Sequence, residues 1–196
     1  MAKETYKTIP YEELKQRLNQ INNQDHRILL KTIYAGCARV GEIVKHRYKS
    51  EWQSFGYGNL EVKEGFLIFQ LQTEKTEQIR RVPISRKEDP SQEYFKKSEA
   101  WLTEDMIPFY EANKSGWAYS TRWAEKIFQK YFPEFNQHIH YLRHWRATHL
   151  RQGLATGKPV PMDIVQKIGG WTNISVPSKF YEHSTIEDYV TIKEVV

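Results

Sequence analysis

Two neighbouring runs of β-prone residues set the strongest limit on how this 196-residue chain can fold. Phe66–Leu71 and Gln78–Ile84 have the composition of strands, and the polar stretch Gln72–Glu77 separates them, which predicts an antiparallel hairpin. Pro83 lacks a backbone N–H, so it places the second strand's end at a sheet edge or at the strand's exit. The chain carries one clear sheet signal, and most of its core must therefore come from helices.

Helical spacing of apolar residues accounts for most of the remaining sequence. Residues 11–35 follow this spacing, with Asn22, Asn23 and Asp25 available as caps between two segments. Further helices are predicted over Arg39–Arg47, 91–112, 121–131, 142–154, 161–168 and Ser178–His183, with breaks at Pro90, Pro133, Gly153 and Pro177 and a loop over 52–60. The predicted fold is α+β: mainly α-helical with a small antiparallel sheet, in one domain over residues 1–196.

Composition narrows the class of protein. A hydrophobic share of 39% with 14% aromatic residues is typical of a folded globule rather than a disordered chain. The 29 Lys and Arg against 24 Asp and Glu give +5, a modest excess that is compatible with a polyanionic partner. Cys37 is the only cysteine, which excludes an internal disulfide framework and a cysteine zinc site. The polar N-terminus and the lack of an 18-residue apolar run predict an intracellular protein without a membrane anchor.

Five residues spread along the chain have side chains suited to metal-free attack on a phosphodiester. His140 and Arg143 lie three apart at the start of a predicted helix, where unpaired N–H groups favour an anion. Arg39 supplies a second guanidinium far upstream, Lys75 an ammonium at the hairpin tip, and Tyr181 a phenol. Each of these residues alone is common in proteins, and only their combination points to a reaction.

The local contexts of these residues carry a resemblance. Five segments occur in this order: Tyr34–Glu42, Arg80–Ile84, His140–Leu150, Gly170–Ser175 and Phe180–His183. Together they resemble the catalytic domain of tyrosine recombinases of the phage-integrase family over roughly residues 25 to 185. The most specific part is the run Leu-Arg-His-Trp-Arg-Ala-Thr-His-Leu within the third segment.

The resemblance implies a reaction and a role for each candidate residue. Arg39 and Arg143 would bind the non-bridging oxygens of the scissile phosphate. Tyr181 would attack phosphorus to give a 3′-phosphotyrosyl link. His140 would accept the phenolic proton, and Lys75 would protonate the departing 5′ oxygen. The reaction would require no metal, nucleotide or other cofactor.

Further residues are assigned supporting roles by the same resemblance. Trp171 would donate its indole N–H to a phosphate oxygen, although most relatives have histidine at this position. Glu42, three residues after Arg39, would pair with it and orient its guanidinium. The basic residues Arg80, Arg81 and Arg146 are candidates for direct DNA contact.

The resemblance also implies partners and a setting. Double-stranded DNA is the expected substrate, and a protein that is a monomer alone is expected to form a homo-tetramer on two DNA sites, with residues 184–196 as a possible docking segment. The family's N-terminal core-binding domain is expected to be absent from this chain, so DNA binding should be weak and strongly salt-dependent. The expected location is the cytoplasm, associated with the nucleoid or other DNA, in a bacterial, archaeal or viral system.

Three other functions remain open at this point. A type IB topoisomerase would relax DNA with the same chemistry, and a non-catalytic module would bind DNA without cleaving it. A His-hydrophobic-His nuclease is suggested by His138 and His140, but that class needs a divalent metal and a central strand at these residues. A metal site on His138, His140, His144 and His149 is a related possibility, although their spacing matches no strong zinc signature.

Overall fold

A computed structural model describes residues 8–44, 54–63, 65–73, 78–113, 116–135 and 138–173. Within these ranges the chain is mainly helical with one small antiparallel sheet, which confirms the predicted fold class. The strands are β1 (Leu60–Lys63), β2 (Phe66–Gln72) and β3 (Ile79–Ser85). The helices are α1 (Tyr11–Asn19), α2 (Gln24–Ala35), α3 (Val40–Ile43), α4 (Ala100–Ala112), α5 (Thr121–Tyr131), α6 (His140–Arg151) and α7 (Met162–Gly169), with 3-10 turns at Tyr57–Asn59 and Pro133–Phe135.

The sheet contains the predicted hairpin and one strand that was not predicted. Its order is β1-β2-β3 with antiparallel pairing throughout, and Phe69 pairs with Val82 in the hairpin register. Pro83 lies in β3, an edge strand, as its missing N–H requires. One face of the hairpin supplies core residues, namely Leu67, Phe69, Leu71, Val82 and Ile84.

Helix α2 lies at the centre of the helical part. The side chain of Asn23 caps it by accepting the backbone N–H of His26 at 2.9 Å, which confirms the predicted break between two helices. Every residue from Ile28 to Ala35 is buried, and α2 packs against α1, α4 and α6. Among the described residues, no helix combines the length and apolar character needed to cross a bilayer.

Two predicted helices are shorter than the sequence pattern indicates. Helix α3 ends at Ile43, because Val44 turns to an extended conformation and forms a bridge with Trp117. Helix α4 begins at Ala100 rather than at residue 91. Before it, the Asp89 carboxylate accepts two hydrogen bonds from Ser91 and Phe95 has a positive φ of 60°, so both residues favour a turned chain. The predicted helix at 178–183 lies outside the described residues.

The turn between α2 and α3 brings distant elements together. Cys37 follows Gly36 with φ of 47°, a left-handed conformation that redirects the chain toward Arg39. The Cys37 side chain is buried. Arg80 of β3 donates to the carbonyl group of Gly36, and Arg143 of α6 donates to that of Cys37.

Candidate active site

The first component of the site is a short ring of contacts at the start of α3. The backbone N–H of Arg39 donates to Oε2 of Glu42 at 3.0 Å, and its Nη1 donates to Oε1 at 3.1 Å. The Glu42 side chain is fully buried, whereas that of Arg39 is 24% exposed. The predicted Arg39–Glu42 pair is therefore present, and it leaves part of the Arg39 guanidinium open to a ligand.

The second component is Arg143, on the first turn of α6. Its Nη1 donates to the Cys37 carbonyl and its Nη2 to the Gly169 carbonyl, each at 2.7 Å. These bonds join α6 to the α2–α3 turn on one side and to the end of α7 on the other. Burial lowers the pKa of Arg143 to about 10, so the guanidinium remains charged at neutral pH.

Trp171 covers the Arg143 guanidinium. The Cζ atom of Arg143 lies 4.1 Å from the indole centroid, a cation–π contact. Two glycines make this packing possible. A Cβ atom on Gly169 would lie 1.7 Å from Cζ3 of the indole, and Gly170 ends α7 in a left-handed conformation with φ of 65°. The Gly-Gly-Trp sequence therefore places the indole on the arginine.

His140 is the third component, at the N-terminal residue of α6. Its ring contacts the edge of the His144 ring, with centroids 4.7 Å apart. Loss of hydration among the surrounding protein atoms, then the positive charges of Arg143 and Arg39, lower the pKa of His140 to about 4, although the residue is exposed at the surface. At neutral pH the imidazole is therefore uncharged and can accept a proton.

Arg80 lies inside the protein, in contrast to the DNA-facing position predicted for it. Its side chain is 7% exposed, and its Nη2 donates to Oε2 of Glu42 at 2.6 Å. The sequence contains a signal for this position. Side chains alternate along a strand, so Arg80 shares the face of Val82 and Ile84, which are apolar and buried.

Arg146 is also internal, and its predicted DNA contact does not fit the structure. It is fully buried, with both Nη atoms donating to the carboxylate of Glu99. Leu142 and Leu150 lie four residues to either side of Arg146 on the same helix face. Both are apolar and buried, so this face of α6 points into the core. Arg81 alone among the three candidates reaches the surface, where it is 57% exposed and pairs with Glu61 at 2.5 Å.

The histidine cluster forms no common site. His149 is bonded on both nitrogens, to the Tyr34 hydroxyl at 2.9 Å and to the Ile9 carbonyl at 2.8 Å. No group of three or more potential metal-binding side chains occurs within the described ranges. Helix α6 begins at His140, so the central strand that a His-hydrophobic-His nuclease requires is replaced by a helix.

The described residues thus bring Arg39, Glu42, His140, Arg143 and Trp171 to one region. Two further candidates, Lys75 and Tyr181, lie outside the described residues. Arg80 belongs to the same cluster through Glu42, which the sequence interpretation missed.

Solved structures share this fold. The crystal structure of XerH site-specific recombinase bound to palindromic difH substrate in a post-cleavage complex matches with a TM-score of 0.64 and 15% identity, over 97% of this chain and 54% of that chain. XerA recombinase matches with a TM-score of 0.64 and 14% identity, over 95% of this chain and 63% of that chain. The Tn1549 transposon integrase in complex with transposon right end DNA matches with a TM-score of 0.60 and 12% identity, over 98% of this chain and 67% of that chain.

The first two of these proteins are longer than the present chain, which spans 54% and 63% of their lengths. No curated protein matches the chain. The family model of the phage integrase family matches residues 7–187, which include every element described above. The chain therefore belongs to the phage integrase family.

Proposed function

We propose that this chain is the catalytic domain of a site-specific DNA recombinase that cleaves and rejoins duplex DNA through Tyr181. The observation that carries the proposal is the convergence of Arg39, Arg143 and His140. Arg39 and Arg143 are 104 positions apart in sequence, yet the carbonyl of Cys37, two residues before Arg39, accepts a hydrogen bond from Arg143. Two guanidinium groups and a neutral imidazole suit a phosphodiester whose negative charge grows in the transition state.

The two arginines would bind the non-bridging oxygens of the scissile phosphate. A guanidinium has five N–H donors, and Arg143 uses two of them on the carbonyls of Cys37 and Gly169. Arg39 is partly exposed and could bind phosphate directly, whereas the other donors of Arg143 are buried and would reach phosphate only after the atoms that cover them, including the Trp171 indole, move aside. Hydrogen bonds to Glu42 and to the carbonyls of Cys37 and Gly169 hold the two guanidinium groups in place before DNA arrives, which limits the reorganisation of the arginines themselves.

Cleavage would then proceed by one displacement at phosphorus. The Tyr181 oxygen forms a bond to phosphorus while His140 accepts the phenolic proton. The bond from phosphorus to the 5′ oxygen breaks, and Lys75 donates a proton to that oxygen. The products are a 3′-phosphotyrosyl ester and a free 5′-hydroxyl. Rejoining reverses these steps with a 5′-hydroxyl as the nucleophile. The phosphotyrosyl ester retains the bond energy of the cleaved phosphodiester, so rejoining would need no ATP.

A nicked suicide duplex tests the proposal. The duplex carries the protein's attachment site or a pool of candidate sites, and covalent protein–DNA adduct is measured on denaturing gels in EDTA. We expect an adduct on the 3′ phosphate that is lost in Tyr181→Phe. An adduct that persists in Tyr181→Phe would identify a different nucleophile, and a requirement for divalent metal would contradict the mechanism.

A non-catalytic DNA-binding module is the second candidate, and the burial of Arg143 favours it. Trp171 and two backbone carbonyls occupy the surroundings of its guanidinium, as they would in a site that never receives phosphate. Salt-sensitive DNA binding without any adduct would support this candidate. Relaxation of supercoiled DNA without strand exchange would instead indicate topoisomerase activity.

A further inference from the structure

We propose that Arg80 is a positioning residue that holds both phosphate-binding arginines in a single arrangement. The inference rests on the proposed function and adds a residue to its site. Arg80 touches neither DNA nor the reacting atoms in this assignment. It acts through Glu42 and through backbone carbonyls, and four contacts support this role.

The first contact makes Glu42 a bridge between two arginines. Nη2 of Arg80 donates to Oε2 of Glu42 at 2.6 Å, while Nη1 of Arg39 donates to Oε1 at 3.1 Å. A carboxylate with both oxygens engaged has one orientation. The position of the Arg39 guanidinium therefore depends on Arg80, even though Arg39 and Arg80 come from different elements.

The remaining contacts join Arg80 to the supports of Arg143. Nη1 of Arg80 donates to the Gly36 carbonyl at 2.9 Å and to the Ile168 carbonyl. Its Nη2 lies 3.4 Å from the Cys37 carbonyl, which also accepts Nη1 of Arg143 at 2.7 Å. Arg80 thus joins β3 to the α2–α3 turn and to the end of α7 by hydrogen bonds. Arg143 is hydrogen-bonded to the same two segments.

The arginine side chain fits this position through its shape as well as its charge. Nη1 and Nη2 of Arg80 serve different acceptors at once, because the guanidinium is a rigid planar fork. A lysine ammonium is a single nitrogen and cannot reproduce that span. Gly170 gives the side chain its space, since a Cβ atom there would lie 2.8 Å from Cδ of Arg80.

The test compares two DNA substrates rather than two proteins alone. In one suicide duplex the scissile phosphate is normal, and in the other a methyl group replaces one non-bridging oxygen. The methylphosphonate carries no negative charge, so its cleavage depends less on guanidinium groups. A variant with displaced arginines should therefore be impaired on the phosphate and much less on the methylphosphonate, whereas a poorly folded variant is impaired on both.

We expect Arg80→Lys to slow adduct formation on the normal phosphate on the order of 100-fold, as for a misplaced catalytic group. On the methylphosphonate we expect a loss of about threefold or less, because the charge stabilisation at stake is smaller. DNA affinity and its salt dependence should match the wild type. The control is Arg86→Lys, an exposed arginine just after β3 that should behave as wild type on both substrates.

Several results would overturn the inference. Equal losses on the two substrates would make Arg80 a merely structural residue, and a weaker salt dependence of binding would make it a DNA contact. Should Arg80→Lys unfold, Glu42→Gln tests the same bridge, and it must show the same substrate-dependent loss. Absence of any adduct with the wild-type protein would reject the proposed function itself, and this inference with it.

Discussion

At the level of single residues, Gly169 leaves little room for a Cβ atom, because Trp171 packs against it. An added methyl group on Gly169 would lie 1.7 Å from an indole carbon, so the ring must leave Arg143 or α7 must shift. We expect Gly169→Ala to lower the free energy of unfolding by about 1–3 kcal/mol through overpacking and to reduce adduct formation. Urea unfolding and the suicide duplex measure the two effects.

The matched control for that substitution is Gly58→Ala. No heavy atom lies within 4 Å of the place where its Cβ would stand. We expect this variant to retain wild-type unfolding and cleavage. Similar behaviour of the two alanine variants would show that the indole does not depend on Gly169.

His149 makes stability dependent on pH. Burial lowers its pKa to about 4, and the positive charge of Arg146 acts in the same direction, whereas the hydrogen bond from its Nε2–H to the Ile9 carbonyl opposes this change. The unfolded ring has a pKa of about 6.5, so between these values the unfolded state binds more protons. The free energy of unfolding should therefore fall as pH drops from 6.5 toward 4, and then level off.

The variant His149→Gln should separate this contribution from others. We expect a lower free energy of unfolding at pH 7, since at least one buried hydrogen bond is lost. Between pH 6.5 and 4.5, the free energy of unfolding should change less steeply with pH than in the wild type, by up to about 1.4 kcal/mol per pH unit. His140 and His144, whose pKa values are also lowered, would account for a remaining slope. Urea unfolding at several pH values gives both quantities, and an unchanged slope would contradict the assignment.

Single residues also show what the sequence could and could not predict. The Arg39–Glu42 pair was predicted from spacing on one helix face, and the structure contains it, although Arg39 is the extended residue that precedes α3 and not part of the helix. The burial of Arg80 was predictable from strand alternation, yet its arginine side chain suggested a surface. Its contacts to carbonyls of residues 36, 37 and 168 arise from tertiary packing, which local patterns do not encode.

Among the elements, α4 and α6 are joined by one buried ion pair. Glu99 immediately precedes α4, and its carboxylate binds both Nη atoms of Arg146. Removing either partner leaves the other buried and uncompensated, so Glu99→Leu and Arg146→Met should each cost about 3–5 kcal/mol.

The double variant Glu99→Leu with Arg146→Met should be more stable than either single variant, because no unpaired charge remains. The free energies of unfolding of all four proteins test this non-additivity. Strictly additive losses would mean that the pair is not coupled in solution. Strong loss of DNA affinity in a folded double variant would instead support the DNA contact that the sequence predicted for Arg146.

The elements that were predicted well are those with local start and stop signals. Helix α5 occupies the predicted range 121–131, because the Ser120 hydroxyl accepts the Trp123 N–H and Pro133 follows its end. Strand β1 has no such signal, since Leu60–Lys63 is short and its side chains are exposed or half-buried. Residues 91–99 carry a helical pattern, but Lys96 and Lys97 instead donate their N–H groups to the Thr156 carbonyl.

For the whole molecule, charge is the property that governs the proposed DNA binding. The chain carries +5, and Arg81 is an exposed arginine on β3. We expect the logarithm of the association constant for DNA to fall linearly with the logarithm of the salt concentration. Arg81→Gln should reduce the magnitude of that slope by about 0.9, the contribution of one phosphate. Fluorescence anisotropy with a labelled duplex over a salt series measures the slope.

Arg81→Lys is the control for this prediction, because lysine retains the charge. Its slope should equal that of the wild type, although its pairing with Glu61 is altered. A slope that is unaffected in Arg81→Gln would mean that β3 faces away from bound DNA.

The way in which Arg143 is held determines how the site tolerates mutation over evolution. Its two hydrogen-bond acceptors are peptide carbonyls, of Cys37 and Gly169, and a carbonyl is present whatever residue type occupies the position. Side-chain replacement therefore cannot delete these acceptors. What can vary is the path of the backbone, which depends on a left-handed residue at 37 and on glycines at 169 and 170. Replacement at positions 37 and 170 is limited by the left-handed backbone, and at position 169 by the space that Trp171 occupies; glycine, which adopts positive φ without a steric cost, is the replacement for Cys37 that lineages could accept most readily.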